Sequence, residues 1–276
     1  MKPAAAWLSV GYLALTAGLA LLAPVLAPAG PFHTTSLVLR PPSPAVPMGT
    51  DELGRSLAAG VFYGARTSLL VAFGVGVIAA VTGLCVGAAA GYAGGLVDDF
   101  LMRASEFIWV LPRFFLAIAT AAVFSGRVWA LIVLLGLVSW PGAARVLRAA
   151  ILREKFLPYV EAAHAAGAGP LRILLGHVLP NSLAPFVVSI SSLAGGAILI
   201  EAGLSFLGLG DASNPSWGSM LRDGQPIMQE APWAIVFPAG AVTLAVLAFN
   251  LLGDALIDWL DPWRRRASIK PRTAAA

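Results

Sequence analysis

The chain has 276 residues, of which 58% are hydrophobic and 12% charged, and its mean hydropathy is +0.83. Soluble globular domains contain roughly 25% charged residues, so this composition excludes an ordinary soluble domain and indicates that most of the chain lies in a bilayer. The net charge of +4 does not imply a nucleic-acid partner, because basic residues in membrane proteins commonly mark the cytoplasmic side.

Apolar stretches along the chain predict an all-α membrane protein with six transmembrane helices. About 20 helical residues cross a hydrocarbon core of roughly 30 Å, and Gly, Pro and charged residues separate the stretches that reach this length. In chain order, the predicted spans cover residues 7–27, 68–92, 106–124, 129–149, 183–206 and 233–257.

The first span has an alternative interpretation as a cleaved signal peptide. Lys2, an apolar run and the Ala-Pro-Ala sequence at 27–29 imitate the three regions of such a peptide. The apolar run over 4–29 exceeds the usual apolar region of about 7–15 residues, which favours a retained span. The segment that follows, RPPSPAVPMGTDELGRS, is too rich in proline for a continuous helix and is expected outside the bilayer.

Basic residues orient the predicted bundle. If the N-terminus is cytoplasmic, the segments on that side hold twelve Lys and Arg, whereas the opposite segments hold five. The positive-inside rule therefore places both termini in the cytoplasm. The chain is divided into an N-terminal span with its loop (1–65), a membrane core (66–262) and a basic tail (263–276).

Glycines recur at every fourth position near the end of the second span, at Gly83, Gly87, Gly91 and Gly95. The first three fall on one helix face, where a neighbouring helix can approach closely. Such a face suits packing within the chain and an interface with a second subunit equally well.

A polar interruption separates the fourth and fifth spans. Pro158 can open a short helix that ends at 167–169, and Pro170 can open a second helix that runs to about Leu179 before Pro180 breaks it. The predicted result is two short helices at an angle on the cytoplasmic side. A helix–break–helix element of this kind is well shaped to insert into a groove on a partner protein.

The sequence EAAHAAGAGPLRILLGHVLPN in this interruption resembles the EAA loop of ABC-transporter permeases. In that family the loop forms the coupling helix that docks on the ATPase subunit, so the resemblance implies this role for residues 150–182. The residues assigned to the coupling loop are Glu161, Ala162, Ala163, Gly167, Arg172, Leu179 and Pro180, and Val178 also matches the pattern.

Further stretches, in the same order, resemble the C-type permease subunits of the dipeptide, oligopeptide and nickel subfamily. They are MGTDELGRSLAAGVFYGARTSLLVAF, GYAGGLVDDFLMR, EAGLSFLGLG, PSWGSML, APWAIVFP and LAFNLLGDALIDWLDP. The resemblance implies the permease fold of type I ABC importers in a bacterial cytoplasmic membrane, with half of a path for peptides or, alternatively, nickel. It also implies a B-type permease as heterodimer partner, an extracytoplasmic solute-binding protein, and two ATPase subunits that hold ATP and Mg²⁺.

Two residues depart from the family pattern. Pro170 stands where the family has a polar or acidic residue, and Arg113 stands where it has a small or apolar one. A charge inside a span costs at least a few kcal/mol unless it faces protein or water. We therefore consider two hypotheses for Arg113: it lines the path and attracts a substrate carboxylate, or it pairs with Glu201, which is expected to face the bundle interior.

The outer gate and the contacts with the binding protein are assigned to two segments. The first comprises the Pro-rich residues 41–47 with Thr50 and Asp51, and the second comprises Pro215, Ser216, Trp217 and Gly218. An alternative role for Trp217 and Trp233 is anchoring at the membrane interface, where Trp is common at the ends of spans.

Catalysis and cofactor binding by this chain are not expected. None of the three lysines lies in the G-x-x-x-x-G-K-[ST] pattern of a P-loop, and neither G-x-S-x-G nor HExxH is present. His33 is predicted on the opposite side from His164 and His177, which lack helical metal-site spacing, so no metal site is predicted. A secondary transporter stays an alternative, although no convincing internal repeat supports it.

Overall fold

The computed structural model describes the backbone of residues 3–260 and the side chains of residues 6–256, so the predicted basic tail lies outside the described residues. This part of the chain is helical. Its helices are α1 Pro3–Leu26, α2 Leu57–Ala93, α3 Gly95–Val110, α4 Arg113–Val123, α5 Val128–Glu154, α6 Pro158–Ala165, α7 Pro170–Ile173, α8 Leu179–Phe206, α9 Trp217–Gly224 and α10 Trp233–Leu260. One π-helical turn, Leu174–Val178, joins α7 to α8.

Five helical segments are long and apolar enough to cross a membrane, and the pair α3 and α4 makes a sixth if the two are counted as one bent span. The predicted all-α fold with six spans is therefore confirmed in this form. A continuous third span over 106–124 is wrong, because α3 and α4 meet at 71°. Leu111 precedes a proline and adopts extended backbone angles, as steric contact with the proline ring requires, and this ends α3.

Helix α2 begins earlier than the predicted second span. Its N-terminus is capped by Ser56, and the charged Arg66 in its first turns has hydrogen-bond partners in α1. The Ser56 hydroxyl accepts a hydrogen bond from the Ala59 amide at the N-terminus. Arg66 donates from Nε to the Ala20 carbonyl at 2.5 Å and from a terminal nitrogen to the Leu21 carbonyl at 3.3 Å. These bonds occupy carbonyls at the end of α1, so the helix can carry an arginine close to the bilayer.

The repeated glycines of α2 pack against α5 of the same chain. A Cβ atom added at Gly87 would lie 2.6 Å from the Ala144 carbonyl oxygen, and one at Gly91 would lie 3.0 Å from the Ile151 side chain. Gly83 makes a looser approach to Ala143 and Phe186 at 3.4 Å. Packing within the chain, one of the two open interpretations, is therefore the role that these glycines have.

The bundle has two distinct ends. At the first, which we call the long-loop end (residues 27–56 and 207–232), Trp233 donates to the Thr50 carbonyl and Thr67 donates to the Pro215 carbonyl. At the other, the short-helix end (residues 155–178), Lys155 Nζ donates to the Gly91 carbonyl at 3.0 Å. Asp98 of α3 and Arg148 of α5 form an ion pair near the short-helix end.

Candidate functional site

The short-helix end contains the predicted helix–break–helix element. Pro158 and Pro170 each occupy the first turn of a helix, α6 and α7, where a missing amide hydrogen costs no hydrogen bond. Between the two helices, Gly167 has a φ of +80°, a left-handed conformation that favours glycine. Its amide donates to the His164 carbonyl at 2.9 Å, so the glycine ends α6 as the sequence predicts.

The predicted break at Pro180 and Asn181 is wrong, because the chain continues without interruption from the π turn into α8. In an α-helix the ring of Pro180 would clash with the carbonyl four residues earlier, at Gly176. The wider π turn moves that carbonyl, and the Leu179 amide bonds to Leu174, five residues back.

The buried face of α6, α7 and the π turn is apolar and fits into the bundle. Val160, Ile173 and Val178 are fully buried, and they form one cluster with Leu147, Ile151 and Phe186 of α5 and α8. Because interiors are closely packed, a displacement of the short helices must be shared by α5 and α8. The element is therefore mechanically joined to two of the spans.

The opposite face of the element is exposed and contains most of the predicted coupling residues. Glu161, Ala162, Gly167, Arg172 and Pro180 are exposed, whereas Ala163 and Leu179 are half-buried. Within the described part of the chain the Glu161 carboxylate accepts no hydrogen bond from another side chain. Large apolar side chains accompany these residues on the surface: Phe156, Leu171 and Leu175.

A hydrogen-bonded cluster that sequence reasoning missed ties α6 to the spans. The Tyr159 hydroxyl donates to the Glu154 carboxylate at 2.5 Å, and Asn181 Nδ2 donates to the Tyr159 oxygen at 3.1 Å and to the His177 carbonyl at 2.8 Å. Burial and the bond to Glu154 raise the pKa of Tyr159, so the phenol stays protonated at neutral pH. The cluster connects the last residue of α5, the first turn of α6 and the start of α8.

Replacing Tyr159 by Phe tests this cluster. The substitution leaves the nearly buried Glu154 carboxylate without its donor, which we expect to lower the free energy of unfolding by about 1–3 kcal/mol. Thermal unfolding of the purified protein in detergent measures the change. Tyr92→Phe is the control for removal of a phenol hydroxyl, because Tyr92 packs against the apolar cluster of Val160, Ile173 and Val178 and its hydroxyl makes no side-chain hydrogen bond within the described residues. Equal melting temperatures for the two variants would contradict the assignment.

A cavity of about 310 Å³ opens among α2, α3, α4, α5 and α8. Its apolar wall includes Val75, Leu135 and Ile200. Its polar groups are Trp109, Arg113, Ser139, Ser189 and Ser192. Arg113 thus lines a cavity between the spans. The first hypothesis, that it lines the path and attracts a substrate carboxylate, stays a prediction.

The second hypothesis, an ion pair between Arg113 and Glu201, is wrong. The Glu201 carboxylate is buried and accepts hydrogen bonds from Ser205 at 2.7 Å and from Ser68 at 3.3 Å. Glu201 faces the bundle interior as expected, but it lies outside the wall of the cavity. Among the described residues, the ion pairs found join Asp98 to Arg148 and Asp223 to Arg222.

At the long-loop end, the buried residues among those assigned to the outer gate are Thr50, Ser216, Trp217 and Gly218, whereas most of residues 41–47 are exposed. Thr50 is 1% exposed, and its hydroxyl donates to the Leu37 carbonyl at 2.5 Å. Asp51 is half-buried, and its carboxylate accepts from the amides of Leu53 and Arg55. A contact of this segment with a binding protein stays a prediction, and the many exposed residues of 41–47 would have to supply it.

The segment Pro215–Gly218 leads into α9 and contacts both α2 and α8. Ser216 caps α9 through reciprocal bonds with Ser219. Trp217 is fully buried and donates from Nε1 to the Val61 carbonyl at 3.1 Å, so the alternative of an interfacial anchor is wrong for this residue. Gly218 packs so closely that an added Cβ would lie 2.4 Å from the Ala202 carbonyl oxygen.

The described residues include no group of three His, Cys, Asp or Glu side chains that could hold a metal ion. What the chain does offer is a mainly apolar cavity between spanning helices, with Arg113 and three serines in its wall, and, at one end, an exposed helix pair joined to two of those helices. A cavity with polar side chains between spanning helices is typical of integral membrane transport proteins.

Comparison with known proteins gives the family. Residues 83–266 match the family described as "Binding-protein-dependent transport system inner membrane component". The Oligopeptide transport system permease protein OppC of Bacillus subtilis is 34% identical, over 85% of this chain and 78% of that protein. The Di/tripeptide transport system permease protein DppC of Pseudomonas aeruginosa is 37% identical, over 90% and 85%, respectively. The chain therefore belongs to the family of binding-protein-dependent transport system inner membrane components, and it is a multi-pass inner membrane protein.

A solved structure supports the fold independently. A chain from inward facing conformations of the MetNI methionine ABC transporter superimposes with a TM-score of 0.59 and 20% identity. The match covers 73% of this chain and 96% of that one. It shows that the predicted permease fold of ABC importers is correct.

Proposed function

We propose that this chain is the permease subunit of an ATP-binding-cassette importer and forms half of a path for dipeptides or oligopeptides. Its relatives include oligopeptide, dipeptide and di/tripeptide transport system permeases, which supports peptides as the cargo. The observation that carries the proposal is the exposed helix pair α6–α7, whose apolar face is buried against α5 and α8. Such an element can receive a movement from a partner and pass it to the spans that line the cavity.

The proposed assembly contains a B-type permease as the second half of the path, two ATPase subunits and an extracytoplasmic solute-binding protein. The family description supports dependence on a binding protein. ATP and Mg²⁺ would be held by the ATPase subunits, since this chain has no P-loop. The residues proposed to contact the ATPases are the exposed members of the coupling loop, Glu161, Ala162, Gly167, Arg172 and Pro180.

The short-helix end is proposed to face the cytoplasm, together with both termini. Arg145, Arg148, Arg153, Lys155 and Arg172 all lie in α5 after its midpoint or in the segment that follows, and such a basic cluster is expected on the cytoplasmic side. In this orientation the long-loop end meets the binding protein.

The proposed mechanism is alternating access driven by the ATPase subunits. Closure of an ATPase pair would move α6 and α7, and the shared core would make α5 and α8 move with them. Because both helices contribute to the wall of the cavity, their movement changes access to it. This chain supplies the path and the transmission element, and the partner subunits supply the energy.

Reconstitution tests the proposed function directly. Proteoliposomes that contain the complete complex, with ATP on the side of the ATPase subunits and loaded binding protein on the other, are expected to accumulate a labelled dipeptide. Proteoliposomes that contain this chain alone, given an ion gradient, should accumulate none. Uptake by the chain alone would instead identify a secondary transporter, and absence of uptake by the complete complex would contradict peptide import.

A further inference from the structure

The cavity contains one cation whose hydrogen-bond donors are unused. Arg113 is half-buried at the cavity wall, and within the described part of the chain its guanidinium forms neither a hydrogen bond nor an ion pair. Its one specific contact is with the Trp109 ring, whose centroid lies 5.0 Å from Arg113 Cζ. Contact of a guanidinium with an aromatic ring leaves its in-plane N–H groups available to a planar anion.

A second arginine holds the same Trp109 ring in place but is already engaged. Arg145 Cζ lies 4.8 Å from the ring centroid. Its Nε donates to the Ser105 hydroxyl at 3.2 Å and a terminal nitrogen donates to the Ser105 carbonyl at 3.4 Å. Arg145 therefore adds positive charge beside the cavity, whereas the N–H groups of Arg113 are free to donate hydrogen bonds to a ligand in the cavity.

No carboxylate of the described chain neutralises Arg113. Asp98 is paired with Arg148, Glu154 accepts from Tyr159, and Glu201 accepts from Ser68 and Ser205. The residues that line the cavity include no acid. A charged residue within a membrane-spanning segment is costly unless it is paired or faces protein or water. Arg113 faces the cavity and has no acidic partner among the described residues, so an anionic group that enters the cavity would supply that partner.

We propose that Arg113 receives the C-terminal carboxylate of a peptide as it passes through the cavity. This inference rests on the proposed function, and it assigns a specificity-determining residue to that path. A guanidinium binds a carboxylate through two parallel hydrogen bonds. The hydroxyls of Ser139, Ser189 and Ser192 line the same cavity and can bond to the peptide backbone. A volume of about 310 Å³ is at the lower limit of ligand pockets and fits one or two residues of a peptide.

The test compares a peptide with a free C-terminus and the same peptide as its C-terminal amide. Maximal uptake rates are measured with the complete complex in proteoliposomes, with binding protein saturated by each peptide, so that recognition by the binding protein does not enter the ratio. The wild-type complex is expected to favour the free acid by about tenfold, which corresponds to the roughly 1.4 kcal/mol available from one charge-assisted hydrogen bond. Arg113→Gln should lower this ratio to near one, and Arg113→Lys should retain part of it.

Arg103→Gln is the matched control. Arg103 lies on α3 with Trp109, is exposed, and does not line the cavity, so the wild-type ratio is expected to persist. A wild-type ratio in Arg113→Gln overturns the proposal. So does an equal loss of both peptides, which would indicate that Arg113 pairs with an acid of the second permease. Failure of the wild-type complex to import either peptide would contradict the proposed function itself.

A measurement on the unsubstituted complex covers the case in which Arg113→Gln does not assemble. Peptides with benzoylphenylalanine at the C-terminus or at the N-terminus are cross-linked by light during transport, and the labelled segments are identified by mass spectrometry. The C-terminal probe should label residues 109–113 or 189–196 more strongly than the N-terminal probe. Stronger labelling by the N-terminal probe would overturn the proposal.

Discussion

Glu161→Lys is expected to reduce ATP-driven uptake by about tenfold or more while the protein stays folded in the membrane. Glu161 is exposed on α6, and its side chain makes no hydrogen bond to the rest of the described chain, so its replacement leaves the apolar core of the element intact. In a docking interface, placing a like charge against a partner costs several kcal/mol, and 1.4 kcal/mol already corresponds to a factor of ten. The loss should therefore appear in coupling and not in folding.

The measurement is the ratio of peptide imported to ATP hydrolysed by the reconstituted complex. Glu230→Lys is the matched control, because it makes the same charge reversal at an exposed position of the long-loop end. We expect the control to keep the wild-type ratio. Wild-type uptake by Glu161→Lys would remove Glu161 from the coupling contact.

Gly87→Val is expected to prevent assembly of a stable bundle. A Cβ at Gly87 would lie 2.6 Å from the Ala144 carbonyl oxygen and 3.1 Å from the Ala144 Cα, and both are backbone atoms of α5 that cannot rotate away. Overpacking in a close-packed interior typically costs about 1–3 kcal/mol and more where backbone must shift. Separation of α2 from α5 would also disturb the apolar cluster against which α6 and α7 pack, since Leu147 and Ile151 of α5 belong to this cluster.

Fluorescence-detected gel filtration of detergent-solubilised membranes checks this prediction. The Gly87→Val protein should elute as an aggregate or be absent, whereas Gly18→Val should elute as the wild type. Gly18 is the control because it also lies within a spanning helix but has open space where a Cβ would project. A monodisperse peak for Gly87→Val at the wild-type amount would show that the approach of α2 to α5 is not a requirement of the fold.

The features that sequence reasoning predicted correctly are those with a local physical cause. Length and apolar character locate the spans, and the proline and glycine at 158 and 167 delimit α6. The bend between α3 and α4 also has a local cause, the proline at 112. Hydropathy alone did not predict this bend, because the sequence on both sides of the proline is apolar. The π turn before Pro180 was missed because a proline at this position is compatible with a break and with a widened helix.

The parts of the site that depend on side chains from distant segments could not be predicted from one sequence. Tyr159 meets Asn181 only because the chain reverses between α6 and α8, and no spacing rule connects these residues. Glu201 and Arg113 are an acid and a base in neighbouring spans, yet Glu201 accepts hydrogen bonds from the hydroxyls of Ser68 and Ser205 and does not pair with Arg113. Trp217 resembled an interfacial anchor by its position near a span, but its ring is completely buried.

The central claim is that the exposed face of α6 and α7 meets an ATPase subunit, and site-specific photo-cross-linking tests it most directly. A benzoylphenylalanine at position 164, which is exposed on α6, should label an ATPase subunit when the complete complex is illuminated, and the same probe at the exposed position 228 of the long-loop end should not. Cross-links from position 164 to the binding protein or to lipid, with none to an ATPase subunit, would contradict the account.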